Sequence, residues 1–339
     1  MAATLHITNG DGAGGLIRDS TVSGDVLPWR DIMHYGPFPE SLDLNAVSDI
    51  RAQYLAGSLL PVADVKQEFR NRNSQLAAAP DCYDEIVLWF EHDLLDQLQI
   101  LQILDWFKQT EATPTTLTMI CIGEHAGIEP FRGLGQLTLD QAAALFPQRK
   151  EVTPAQLNLA KAGWAAFRAP TPEPLEDFMR GDLKPLPFLH AALRRHLQEF
   201  PWRKDGLTRT ERQLMTLVVS GIHNPVDLFI RNMAFETCLY IGDWSTFSII
   251  ERLCAAPNAM LHCDGATGFR HPPGAQVTME SFRAQRIGLT KIGETVLSGG
   301  ANAVDLTPRD QWLGGVHLRP SSPLWLYDDK SERLEKTAT

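Results

Sequence analysis

The chain has 339 residues, of which 44% are apolar and 21% charged, and a formal net charge of −10 at pH 7. That length favours two domains over one, and so ordinary a composition excludes a disordered or fibrous chain. No apolar run reaches the ~20 residues of a membrane span, no secretory signal opens the chain, and the five cysteines (Cys82, Cys121, Cys238, Cys254, Cys263) form no C-x-x-C pair, so a cytoplasmic protein with reduced thiols is expected.

Thr4 to Thr8 reads as a first strand, followed by Asn9-Gly-Asp-Gly-Ala-Gly-Gly15 and a short helix near Leu16 to Asp19. Gly10, Gly12 and Gly15 match G-x-G-x-x-G, and Asp31 stands ~20 residues on, where a dinucleotide fold places its ribose-binding acid. Asp11 inside that loop opposes a pyrophosphate, so a glycine-rich turn is the preferred reading. Val26 to Trp29 is a weaker strand, and Pro28 argues against a central place in the sheet. The segment from Arg30 to Pro39 is a loop, and Ser48 to Leu60 and Val62 to Ala78 read as helices.

Glu85-Ile-Val-Leu-Trp-Phe-Glu-His-Asp93 holds a continuous apolar run, the mark of a strand buried on both faces. It stops at Glu91, His92 and Asp93. A helix follows with Asp93 as N-cap, Asp96 three residues on, and an apolar stripe of Leu94, Leu98, Leu101 and Leu104. Pro114 breaks the chain, and Thr116 to Ile122 is another buried strand ending at Gly123-Glu-His125. Strand, polar tip and helix thus recur, which predicts a parallel sheet whose ligands bind beyond the carboxyl ends of its strands.

Val152 to Phe167 reads as a helix, and the proline-rich run from Ala169 to Pro174 opens a linker. The predicted division is an α/β domain over residues 1–168 with a Rossmann-like parallel sheet, a linker over 169–185, a mainly α domain over 186–330 and a polar tail over 331–339. Residues 1–184 carry 14 Lys and Arg against 25 Asp and Glu, a net of −11; residues 185–330 carry 15 against 14. Helices are predicted at Leu186 to Phe200, from Gly206, at Pro225 to Cys238 and at Thr246 to Ala255. A Gly/Pro turn region at residues 265–274, a strand at Arg286 to Leu289 and Thr290-Lys-Ile-Gly-Glu-Thr-Val-Leu297 follow in the order of a winged helix. Trp312-Leu-Gly-Gly-Val-His-Leu318 reads as a strand or turn packing on this second domain.

Asp11, Asp31, His34, Glu91, His92, Asp93, Glu124 and His125 are expected near strand tips, where carboxylates and imidazoles suit a divalent cation or an acid/base pair. Asn9, Gly10 and Gly12 form the loop floor. The plainer roles are a helix cap for Asp93, ion pairs of Glu91 or Glu124 with Arg18, Arg30 or Arg51, and a core position for His6. No Ser/His/Asp signature, Walker loop or zinc-helix motif is present.

His6-Ile-Thr-Asn-Gly-Asp11, Trp29-Arg-Asp31 with His34-x-Gly-Pro37, Leu88-Trp-Phe-Glu-His-Asp93 with Asp96-Gln97, and Ile120-Cys-Ile-Gly-Glu124 together resemble the bacterial domain of unknown function 1835 over about residues 4–140. The resemblance implies a bacterial cytosolic setting and that these motifs belong together; it transfers no activity. Gly12 stands where relatives commonly carry a small hydroxyl residue. The resulting expectation is a pocket at the strand ends for metal-assisted phosphate-ester or nucleotide chemistry, with Asp11, Asp31, His34, Glu91 and His92 as acid/base or metal groups. The alternatives are a ligand-responsive regulator whose winged helix binds DNA through Arg194, Arg195, Arg203, Arg209 and Arg212, and a scaffold whose winged helix forms a homodimer.

Overall fold

The computed structural model describes residues 3–56, 62–110, 115–237, 239–255, 257–264, 268–271, 277–320 and 322–337. Pro114, Cys238 and most of the predicted turn at 265–274 lie outside them. The chain divides into two compact units, Met1–Leu193 with Gly314–Val316, and Arg194–Leu313 with His317–Thr339.

In chain order the first unit comprises β1 (Thr4–Thr8), α1 (Asp11–Asp19), β2 (Asp25–Pro28), α2 (Leu44–Ala56), α3 (Val62–Cys82), β3 (Glu85–Glu91), α4 (Leu94–Gln109), β4 (Thr116–Ile122), α5 (Leu139–Leu145), β5 (Lys150–Glu151), α6 (Pro154–Phe167) and α7 (Glu173–Met179). The division between units falls within α8 (Leu189–Leu197). The sheet order is β2-β1-β3-β4-β5, with β5 alone antiparallel. Pro28 ends an edge strand, where its missing N–H costs no ladder bond.

The apolar run of β3 follows from its central place. Val87 and Trp89 join Ala13 and Ile17 of α1, Ile120, Leu134 and Leu145 in one core. Ile86, Leu88 and Phe90, equally buried, alternate onto the opposite face. His6 is satisfied inside this core: Trp89 Nε1–H donates to its Nδ1 at 3.0 Å, and its Nε2 lies 3.2 Å from the Ser23 carbonyl. Burial pushes the imidazole below its ordinary pKa.

Several expected boundaries move. α1 begins at Asp11 rather than near Leu16, so the glycine run is the helix's first turns and not a phosphate loop. A Cβ on Gly14 would lie 3.2 Å from Thr8 Oγ1 and 3.3 Å from Val26, so that glycine serves the packing of α1 on β1 and β2. α2 starts at Leu44, and α3 runs on to Cys82 through Pro80. The predicted linker at 169–185 carries α7, whose Leu175 is buried. The turn residues 314–316 of the segment expected on the second domain count with the first unit, where Gly315 N–H donates to the Phe167 carbonyl at 3.0 Å.

Two buried arginines fasten the loop after β2. Arg51 donates to Asp31 from Nε (3.0 Å) and Nη2 (2.5 Å), and to the carbonyls of Tyr35 and Ile32. Its guanidinium lies 4.1 Å from the Phe38 ring centroid. Arg72 stacks on Trp29 and Phe69 and donates to Asn73 and Ser48. These contacts replace water around charges that would otherwise be costly to bury.

The second unit contains α9 (Arg209–Val219), α10 (Pro225–Met233), α11 (Asp243–Leu253), β6 (Leu261–Cys263), α12 (Met279–Ala284), β7 (Ile287–Leu289), α13 (Lys291–Leu297), α14 (Ala303–Leu306), β8 (Gln311–Leu313), His317 and Leu318 of β9 (Val316–Leu318), β10 (Trp325–Asp328) and β11 (Arg333–Lys336). β6 and β7 form an antiparallel pair, and β11, in the expected polar tail, pairs with β10. Thr208 and Glu211 build the capping box of α9, and the buried Glu211 carboxylate also accepts from Arg309 and Arg252. The anticipated positive face is charge-balanced. Arg194 meets Glu332, Arg195 meets Glu199 and Glu236, Arg203 meets Glu335, Arg209 meets Glu236, and Arg212 meets Asp205.

The side chains of Asp31 and Arg51 are 1% and 0% exposed, so removing one partner strands a buried charge. Arg51→Ala is expected to cost about 3–5 kcal/mol in urea denaturation, and the double variant Asp31→Asn/Arg51→Met clearly less than the sum of its singles.

Candidate functional site

Three buried carboxylates meet where β3 passes into α4. Oxygens of Glu91, Asp93 and Asp96 all lie within 4.8 Å of one another. Their residues are 6%, 5% and 0% exposed. Among the described residues no lysine, arginine or histidine forms an ion pair with any of them.

Backbone geometry places the group. The last residue of β3 presents Glu91 on the Val87 and Trp89 face. The chain then turns through His92 into the N-cap of α4, where Asp93 Oδ1 accepts from Asp96 N–H at 2.9 Å. This capping contact draws Asp96 back toward the strand. Asp96 Oδ2 accepts from Glu91 N–H at 2.6 Å. Gln97 Nε2–H donates to the Glu91 carbonyl at 2.8 Å, completing the turn.

Asn9 joins the tips of β1 and β3. Its Nδ2 donates to Glu91 Oε1 and Asp96 Oδ1, each at 3.0 Å. Leu134 N–H, at the start of a 3₁₀ turn, donates to Glu91 Oε2. Gly133 just before it has φ 145°, and a Cβ there would lie 2.5 and 2.6 Å from the two Glu91 oxygens. Only glycine lets that backbone approach the carboxylate.

Burial raises the pKa of all three acids. Glu91 is pushed up to about 8 by burial and then by the neighbouring Asp93 charge. Asp93 is pushed up to about 6 by burial. Asp96 rises well above its ordinary value by burial and by the charges of Asp93 and Glu91. The site therefore keeps protons at a pH where isolated carboxyls have lost them.

The other expected site residues are placed differently. Asp11, in the first turn of α1, forms an exposed pair with Arg30, whose Nε lies 2.7 Å from Oδ2. Asp31 is taken by Arg51. His34 is buried in the loop that Arg51 fastens. His92 is half-buried, with its ring centroid 6.0 Å from those of both Phe131 and Phe188. Glu124 is exposed, and His125 Nδ1 lies 3.0 Å from the Ala126 carbonyl. Gly10 precedes α1, and neither Gly10 nor Gly12 has an atom within 4 Å of a built Cβ. Of the expected group the structure thus brings together Asn9, Glu91 and Asp93. It adds Asp96, which the sequence places three residues after the Asp93 cap and in the Asp96-Gln97 motif without a site role, and Gly133, which no local signal marked.

A cavity of about 350 Å³ opens beside the cluster, lined by Gln97, Cys121, Ile122, Lys150 and Leu186 among others. Gln97 and the Cys121 thiol both touch the Glu91 carbonyl, so the cavity wall and the cluster share one peptide. Burial pushes Cys121 up to about 12, which removes it as a nucleophile. No family model matches the chain, and no curated protein matches it either.

The raised acids dictate the pH dependence of folding. A carboxyl whose folded pKa exceeds its unfolded value adds stability below the unfolded value and loses it as pH rises through the folded one. The buried His6 and His196, held below their ordinary pKa, add an opposing gain up to about pH 6.5, so metal-free protein is expected to lose stability between about pH 6.5 and 8. Glu91→Gln is expected to flatten that decline by one to a few kcal/mol, each pKa unit being about 1.4 kcal/mol. Urea midpoints in chelator across this range test it; a flat wild-type profile defeats it.

Proposed function

We propose that the α/β unit binds a divalent cation on Glu91, Asp93 and Asp96 and uses it on a phosphate-bearing ligand, in hydrolysis or transfer at a phosphate ester. The observation that carries this reading is the mutual spacing within 4.8 Å of three buried carboxylates that have no basic partner among the described residues. Oxygens so spaced can share a centre at the ~2.0–2.6 Å typical of Mg²⁺ and Ca²⁺. A bound cation would polarise a phosphoryl oxygen and offset charge developing on it. Asn9 holds Glu91 and Asp96 in position, and the Leu134 N–H fixes the other Glu91 oxygen. In the adjacent cavity Lys150, which forms no ion pair among the described residues, suits the ligand's anionic group. Asn9, Glu91, Asp93 and Asp96 all fall in the motifs that resemble the domain of unknown function 1835, and membership of that family is part of the same proposal.

A second reading makes the other unit a winged helix, in keeping with the order of α9, α10, α11, β6 and β7. Its five anticipated DNA-binding arginines already sit on carboxylates. Self-association is then the more economical role. Sedimentation of the full chain should show a dimer, and duplex DNA at low salt should leave that boundary unchanged; a monomer that shifts with DNA reverses this order of preference.

The cation is tested by thermal unfolding with Mg²⁺, Mn²⁺ or Ca²⁺. At least one is expected to raise the midpoint at pH 8, by the equivalent of about 2.7 kcal/mol at a hundredfold excess over its dissociation constant. The rise should shrink toward pH 5, as protons reoccupy the acids, and vanish in Asp96→Asn. No rise with any of the three ions removes the metal from the proposal.

A further inference from the structure

We infer that a second cavity, at the C-terminal end of α4, binds a small zwitterion of the α-amino acid class, with its ammonium on Asp105 and its carboxylate on Arg168. The cavity holds about 310 Å³ and is lined by Asp105, Arg168, Gln102, Trp106 and Trp164 among others. That is the low end of ligand pockets, the scale of a metabolite.

The lining carries opposite charges that do not neutralise each other. Asp105 is 8% exposed and Arg168 9% exposed. They attract across the space, but no ion pair joins them. Each keeps one unused hydrogen-bonding atom. Asp105 Oδ2 accepts from Gln109 Nε2 at 2.7 Å, whereas Oδ1 has no donor among the described residues. Arg168 Nε and Nη2 donate to the carbonyls of Pro39 and Leu42 at 2.7–2.9 Å, whereas Nη1 has no acceptor among the described residues. Gln102 Oε1 is occupied by Trp29 Nε1–H at 2.9 Å, which leaves the Gln102 amide N–H groups to donate.

The spare atoms are therefore one carboxylate oxygen, one guanidinium nitrogen and one amide nitrogen. They complement an ammonium and a carboxylate on one short molecule. The two indoles supply an apolar and cation-attracting wall for the rest of the ligand. A purely cationic guest would leave Arg168 unanswered, and a purely anionic one would meet Asp105. Burial also raises the Asp105 pKa, as expected of a carboxyl whose cationic partner comes with the ligand.

The test is calorimetric titration of the full-length protein with each standard L-amino acid. For the strongest binder, its decarboxylated amine and its deaminated acid are titrated as well. At least one amino acid should bind, and each truncated analogue should bind about tenfold or more weakly, the loss of one charged contact. Asp105→Asn, which preserves shape and the Gln109 contact, should weaken binding by a similar factor with an unchanged urea midpoint. If that variant does not fold, Trp106→Leu takes its place and should also lose affinity. Asp96→Asn should bind as wild type does, which separates this cavity from the carboxylate cluster. The inference is overturned if no amino acid binds, if either analogue binds as well as its parent, or if the folded Asp105 variant binds unchanged.

Discussion

Asn9 donates from one nitrogen to two acids, Glu91 on a strand and Asp96 on a helix, and that fork fixes the carboxyl edge of the sheet. Without it three carboxylates would face one another with only the Leu134 N–H, the Asp93 cap and two backbone amides to hold them. Their mutual repulsion sets what the surroundings must do. β1 must end where its side chain reaches β3. The turn through His92 must be tight enough to return Asp96 to the Glu91 amide. The segment before the 3₁₀ turn must be glycine, because the carboxylate occupies the space of a Cβ.

α4 carries most of this arrangement, and the reason lies in its polar face. Its apolar stripe is buried, with Leu101 facing Gly163 of α6, yet Asp96, Gln97, Gln99 and Gln102 are buried as well. Each reaches another element. Gln97 meets the Glu91 carbonyl, Gln99 the Trp29 carbonyl and Gln102 the Trp29 indole. Amide side chains make this workable, because they satisfy strand-end carbonyls without adding charge. The loop that Arg51 and Arg72 hold delivers Trp29 to those amides, so the two buried arginines and the carboxylate cluster are linked through α4.

How much of this was legible in the sequence depends on the range of each interaction. The apolar run of β3, its polar tip and the Asp93 cap are local, and the chain spells them out. The pairing of Asp96 with Asn9 spans 87 residues, and the contact of Leu134 with Glu91 spans 43; neither has a local signature. Asp11 and Asp31 looked equivalent to Glu91 because residue type alone does not tell which acid will find an arginine. Arg51 and Arg30 decided that through tertiary contacts. The glycine run was read as a loop because glycine is a poor helix former. Close packing of Gly14 on Thr8, Val26 and Pro28 outweighed that propensity. The strand β11 was hidden for the opposite reason, since its residues are mostly polar and only Leu334 is buried.

The two ends of α4 then pose different electrostatic problems. At its N-terminus Asp93 and Asp96 lie where the helix macrodipole and free N–H groups favour negative charge. That lowers the cost of burying them, although it does not abolish it, because their pKa values remain raised. Asp105, five residues from the start of the C-terminal cap, has no free N–H groups to meet. Among the described residues its one direct partner is a neutral amide, Gln109. A buried carboxylate at the unfavourable end of a helix needs positive charge from elsewhere. Arg168 and Lys161 supply it only at a distance, and the Pro39 and Leu42 carbonyls hold the Arg168 guanidinium. The gap between the Asp105 and Arg168 charges is therefore held open by the fold itself, since closing it would strip two half-buried carbonyls of their donor.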